Sequence, residues 1–204
     1  MYARSTSISG DAGKIDAGIA FVSDEVQPVI TSIDGCQGLS LVVDREAGRL
    51  IATSSWRDRA AMTASDESLA PFRERGGEIL GGTADVHEWE VAVMHRDHAT
   101  HEGCCCRVSW ARAEDIDTAV TRWRTDLLPQ IEERPGFCSA SLLIDRDQHL
   151  MCGTVTFDSR EALEASREFA AGVRAAAKER LGLEVFDHAE VDLVLAHLRI
   201  PELV

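Results

Sequence analysis

The sequence predicts an α+β fold: two β-α-β-β-α-β repeats packed as one intramolecular barrel. Three observations predict it. Residues 28–56 (PVITSIDGCQGLSLVVDREAGRLIATSSW) and 129–157 (PQIEERPGFCSASLLIDRDQHLMCGTVTF) are one segment written twice, 101 positions apart. Pro28 matches Pro129, Gly35 matches Gly136, Asp44-Arg45 matches Asp145-Arg146, and Trp56 matches the aromatic Phe157. A repeat of this period decides an architecture before any local pattern does. Second, each copy runs from an apolar stripe at helical spacing into alternating strands. Third, about 100 residues per copy is a marginal size for a private core, so two copies do better packed together.

The first copy opens on a strand over residues 1–8, and Ser9–Gly13 is a loop. Ile15, Ile19, Val22, Val26, Val29, Ile30 and Ile33 recur every three or four residues, which marks an amphipathic helix. Pro28 lies inside it and predicts a kink or a separate last turn, because proline lacks a donor and clashes with the preceding turn. Leu39, Leu41 and Val43 alternate in a strand, 44–48 turns, and 49–56 returns. Asp58 caps a second helix, which Pro71 is expected to break before it resumes over 72–80 and stops at Gly81-Gly82. Val86–His95 is the fourth strand, with Trp89, Val91 and Val93 on one face.

The second copy repeats the order. A strand over 104–111 leads to a helix lined by Ile116, Val120, Trp123, Leu127 and Ile131, with Pro129 repeating the kink. Pro135-Gly136-Phe137 turns into the hairpin, Asp158 or Ser159 caps the next helix, and Gly172 falls where Pro71 falls. Residues 185–198 form the last strand. The domains are therefore 1–95 and 104–204, joined by a polar linker at 96–103 (RDHATHEG). Each has the split β-α-β order of a ferredoxin-like sheet, with helices on one face. The other face is apolar too and needs a partner, so the two sheets are expected to form one dimeric α+β barrel within the chain.

A net charge of −14 argues against nucleic acid and anionic membrane surfaces as partners. No apolar run is long enough to span a bilayer, and the N-terminus has no secretory core. Six cysteines, three of them adjacent at 104–106, do not form a disulfide framework. A cytoplasmic protein is expected.

The order of strand, proline-interrupted helix, Pro-Gly-Phe turn, hairpin and aromatic followed by Asp-Ser-Arg-Glu-Ala resembles the antibiotic biosynthesis monooxygenase family. LLPQIEERPGF (127–137) and TFDSREALEAS (156–166) match best; WRDRAAMTAS (56–65) matches less closely. The resemblance covers both copies and implies a barrel that other members build from two chains. It implies oxygen-dependent oxidation of an aromatic or quinol-like molecule with no cofactor. The alternative is a non-catalytic small-molecule-binding or stress-response protein on the same fold. Haem degradation is disfavoured. The asparagine of that branch falls near Thr6 and Ser109, its tryptophan on Ser65 and Ser166, and its histidine near Glu74 and Ala175.

Oxygenation of a phenol needs a pocket, a group to share the proton and donors for the oxyanion. Arg4 with Thr6, and Arg107 with Ser109, share a face of the first strand of each copy and could bind a phenolate. Equally, those arginines could pair with acidic residues across the sheet. His95 and His197 close the fourth strands as candidate bases, or as structural hydrogen-bonding groups at the seam. Trp56, Trp89 and Trp110 could line a pocket for a flat ring, whereas Trp123 belongs to the helix stripe and the core. His95, His98, His101, Cys104 and Cys106 resemble a metal cluster, but Cys104 and Cys106 lie in a strand, so no metal is expected. The acidic pairs Glu88/Glu90 and Glu190/Asp192 are expected to face solvent or meet Arg45 and Arg146. The remaining expected partners are a small aromatic ligand and, beyond the internal pseudo-dimer, a second copy of the chain.

Overall fold

Two prolines set the geometry of the first helical segment in each repeat. In the computed structural model, which describes residues 1–198 and Leu203, Pro28 stands in the first turn of a separate last helical stretch, one of the two outcomes expected. The backbone widens just before it. Helix α1 (Ile15–Phe21) passes into a π-helical turn, Val22–Val26, and then into α2 (Gln27–Ser32), where Pro28 occupies the first turn. A residue there needs no amide donor, so the wide turn absorbs the proline at little cost. The second repeat does the same through α5 (Ile116–Arg122), a π-helical turn at Trp123–Leu127, and α6 (Leu128–Glu132) carrying Pro129.

The strands of the first repeat are β1 (Tyr2–Ser9), β2 (Cys36–Asp44), β3 (Arg49–Trp56) and β4 (Ala84–Arg96). Those of the second are β5 (Cys105–Ala113), β6 (Phe137–Asp145), β7 (Leu150–Phe157) and β8 (Leu183–Leu198). The turn into each hairpin needs glycine. Gly35 and Gly136 adopt φ of 82° and 73°, and a Cβ there would meet the Cβ of Ala61 at 2.5 Å or of Ala162 at 2.6 Å. Hydrogen bonding runs in the closed order β1-β3-β2-β8-β5-β7-β6-β4, so the two ferredoxin-like repeats form a closed barrel, as the repeat predicts.

The second helices differ from expectation. Pro71 does not interrupt its helix: α3 (Arg59–Ala64) ends at Ser65, and α4 (Asp66–Leu80) contains Pro71. Gly172 likewise lies within α8 (Arg167–Leu181), and the break after α7 (Arg160–Ala165) is at Ser166. Each serine satisfies the break locally, its hydroxyl donating to Met62 O or Leu163 O at 2.7 Å. That bond leaves the hydroxyl's lone pairs to accept from elsewhere.

Packing divides the chain into two units. Of the described residues, one holds 1–90 with 191–198, and the other holds 91–190 with Leu203. The core of the first holds Trp56, Met62, Leu39 and Leu41. The second holds Trp123, Leu142, Ile144 and Met151, beside a cluster of Phe157 and Leu163. Each such side chain contributes about 1.5–3 kcal/mol on burial. The cysteines at 104–106 are buried small residues. Among the described residues no helix is long and apolar enough to cross a membrane.

Candidate active site

In each unit an apolar, partly open cavity lies between the sheet and the helices. In the second unit it measures about 110 Å³, with walls of Arg107, Ser109 and Gly153 from the sheet, Trp123 and Leu127 from the π-helical turn, and Phe169, Val173 and Arg174 from α8. In the first unit it measures about 70 Å³, between Arg4, Thr6 and Ala52 and the helix residues Val22, Val26, Phe72 and Arg73. An apolar cavity of about 150 Å³ holds benzene. The second cavity is thus on the scale of one small ring, and the first is below it. The π-helical turns, forced by the prolines, supply wall residues to both. Opposite Ser109 on the neighbouring strand lies Gly153, where the first repeat has Ala52 opposite Thr6. That missing methyl helps to make the second cavity the larger.

The first-strand arginines are buried in these walls, and both are anchored. Arg107 Nη1 donates to Ser166 Oγ at 2.7 Å, and Nη2 donates to Leu163 O at 3.0 Å and Glu190 Oε1 at 2.8 Å. Arg4 Nη1 donates to Ser65 Oγ at 3.1 Å, and Nη2 donates to Glu88 Oε1 at 2.7 Å. The helix breaks therefore exist where an arginine needs a hydroxyl acceptor. Glu88 is exposed, as expected, and Glu190 is half-buried, but both are the counter-charges of the buried guanidinium groups rather than partners of Arg45 and Arg146. Arg45 and Arg146 pair instead with Asp16 and Asp117, each at 2.8 Å. Asp192 lies 3.9 Å from Arg45, as expected of that acidic pair.

The two arginines differ most at Nε. Arg4 Nε donates to Glu88 Oε1 at 3.3 Å, whereas Arg107 Nε is buried with no hydrogen-bond partner. The cause is a charge exchange on the neighbouring helix. The first repeat has Asp66, which lies 3.5 Å from Arg4 Nη1 and also accepts from Arg73. The second repeat has Arg167 there, and Arg167 holds Glu190 through Oε2 at 2.7 Å. Burial alone raises the pKa of Glu190, but hydrogen bonds from Arg167 and Arg107, with their charges, outweigh it and hold that carboxyl below its ordinary range. Arg174, the counterpart of Arg73, makes no ion pair among the described residues and lines the cavity. Arg134 lies over the Phe169 ring at 4.9 Å, at the same wall. Sequence reasoning did not single out Arg134, Arg174 or Phe169. The 101-residue register of Arg73 and Arg174 is the signal that could have found one of them.

Other candidates lie elsewhere. His95 Nε2 is 3.1 Å from Glu132 Oε1, and the ring stacks on Phe137. His197 sits opposite Leu39. Neither is among the residues lining the cavities. Trp56 is fully buried in the core, its Nε1 donating to Ser54 Oγ at 3.0 Å. Trp110 is half-buried opposite Cys152. Trp89 donates to Ser5 Oγ at 2.8 Å. The tryptophan in a cavity wall is Trp123, which belongs to the core as well.

The sequence profile of the antibiotic biosynthesis monooxygenases matches residues 1–70. The chain belongs to the antibiotic biosynthesis monooxygenase family. It is 47% identical over 206 residues to the uncharacterized protein Rv2557 of Mycobacterium tuberculosis, a match spanning 100% of this chain and 92% of that one. Among solved structures it resembles an anthrone oxidase-like protein, with TM-score 0.64 and 15% identity over 100% of this chain and 94% of the other. It also resembles a ferredoxin-fold protein related to antibiotic biosynthesis monooxygenases from Listeria monocytogenes, with TM-score 0.56 and 10% identity over 95% of both. At such identities these two likenesses speak for the fold. In this antibiotic biosynthesis monooxygenase fold Ser65 and Ser166, the positions aligned above with the haem-degrading branch's tryptophan, hold the arginines.

Proposed function

We propose that the protein oxidises a small aromatic or quinol-like molecule with molecular oxygen in the cavity of the second repeat, with no bound cofactor. The observation that carries this reading is Arg107 Nε, a buried donor without a partner in the wall of an apolar cavity. Buried polar groups without partners are uncommon and ask for an acceptor. A phenolate oxygen would supply one, and Arg174 and Arg134 at the same wall would favour the anion of a phenol over its neutral form. An electron-rich anion of that kind is what reacts with oxygen. For a methylene between two rings, the substrate gives up both hydrogens. One oxygen atom stays as the new carbonyl and the other leaves as water.

The test is oxygen uptake over a panel of quinols, phenols and anthrones by the full chain and by Arg107→Met. Uptake by the full chain, lost in the variant, supports the reading; no uptake with any compound sinks it.

A second reading is favoured by another observation. No histidine, aspartate or glutamate is among the described residues lining this cavity, so a proton acceptor within reach is missing from the wall. A binder of aromatic anions needs no such base. Ligand-induced stabilisation that depends on Arg107, without oxygen uptake, would select it.

A further inference from the structure

Outside the cavities, four metal-capable side chains of the second unit come together around one carboxylate, Asp158. His98, Cys138 and Asp158 form one group and His101, Cys104 and Asp158 another, with the ligand atoms of each group within 4.8 Å of one another. His98 Nε2 lies 2.7 Å from Asp158 Oδ1, and His101 Nε2 lies 3.4 Å from the same oxygen. We propose that His98, His101, Cys104, Cys138 and Asp158 form a binding site for a divalent ion of the zinc class.

Three features separate this cluster from a chance polar contact. The donor set is the first. Two imidazoles and two thiols suit a borderline-soft ion, whereas calcium and magnesium take oxygen ligands. The second is orientation. His98 Nδ1 is fixed by Asp97 Oδ2 at 2.9 Å and His101 Nδ1 by Glu102 O at 2.8 Å, so both Nε2 atoms are aimed inward. Metal-ligating histidines are held in this way by an acceptor on the far nitrogen. The third is backbone. Asp97 N donates to Cys138 O at 2.9 Å, Cys104 N to His101 O at 3.3 Å, and Asp158 N to Gly136 O at 2.8 Å, fixing the chain on either side of the shared Asp158. The sequence spacing offered Cys106 as a ligand, but its sulfur lies 3.4 Å from Thr156 Oγ1. Cys138 and Asp158, distant in sequence, complete the set instead.

On binding, each thiol gives up its proton to solvent and the sulfur electron pair goes to the metal. The ion would clip the segment after β4 to the start of β6 and the end of β7. That role is structural and independent of the cavity chemistry.

The test uses the full chain, reduced, stripped with a chelator and titrated with Co(II), then with Zn(II). One ion per chain is expected, with thiolate-to-cobalt charge transfer, intense visible bands and displacement by zinc. His101→Ala, a partly exposed position, and Cys138→Ser should each weaken binding at least about tenfold. Cys106→Ser should leave it unchanged. A cobalt spectrum without thiolate bands, or equal affinity in His101→Ala, overturns the site even if Cys138→Ser fails to fold.

Discussion

Arg167 Nη2 lies 2.7 Å from Glu190 Oε2, while Glu190 Oε1 receives Arg107 Nη2 at 2.8 Å. One carboxylate thus bridges an exposed and a buried guanidinium. Replacing Glu190 with Gln leaves Arg107 without its counter-charge, and a cost of about 1–3 kcal/mol is expected, below that of a fully buried pair because Glu190 is partly exposed. The pH dependence has a definite sign. Glu190 has a lowered folded pKa, so its contribution is complete above the unfolded value of about 4.3 and is lost as pH falls through the folded value. Melting curves of the native chain and Glu190→Gln should differ at neutral pH and converge in acid. A constant gap would contradict the bridge.

Arg167→Asp restores the charge pattern of the first repeat. Glu190 is then released to satisfy Arg107 Nε, as Glu88 satisfies Arg4. Affinity for an aromatic anion should fall about tenfold, a change of about 1.4 kcal/mol. Melting should shift little, because Arg167 is mostly exposed. Calorimetric titration with the best compound from the oxygen-uptake panel measures this. Unchanged affinity would show that Nε does not meet the ligand.

Gly153 has room for a methyl, the nearest atoms to a built Cβ being Trp123 Nε1 at 3.7 Å and Leu142 Cδ1 at 3.9 Å. Gly153→Ala should be neutral or stabilise by up to about 1 kcal/mol, since glycine weakens a strand. Gly153→Leu should fill the cavity and abolish ligand binding while the fold persists. Circular dichroism and a binding titration on both variants decide it; ligand bound normally by Gly153→Leu would place the ligand elsewhere.

Gly136 and Gly182 both adopt left-handed conformations, with φ of 73° and 69°, but nothing lies near a Cβ at Gly182. Gly182→Ala should cost about 1 kcal/mol from backbone strain alone. Gly136→Ala adds the clash with Ala162 and should cost clearly more. Denaturant midpoints of the two variants provide the comparison, and equal costs would show that Ala162 moves aside freely.

The repeat made the fold legible because its matched residues are those the backbone constrains: the turn glycines, the helix prolines and the strand-closing aromatics. The helix break was misplaced for a physical reason. Pro71 invites a break by the loss of one donor, yet α4 tolerates it. Ser65 and Ser166 break the helix because their hydroxyls cap it and receive an arginine from another element. That requirement arises from tertiary contact and leaves no local pattern. The cavity arginines were half legible. Arg4 and Arg107 followed from strand register, but their carboxylates sit more than 80 positions away. Cys138 and Asp158 stayed hidden because metal-ligand spacing was sought along the chain, and the chain brings them together only by folding.

The exchange of Asp66 for Arg167 bears on how such a protein can change over generations. A barrel assembled from two identical chains must carry every substitution twice. A variant that opens one site and harms the fold is then harmful in duplicate. Once both copies lie in a single gene, that coupling is gone. One half can keep its arginine fully neutralised, with a tight cavity and an alanine at position 52. The other can accept an unsatisfied donor, a glycine at 153 and a larger cavity, and natural selection can act on it alone.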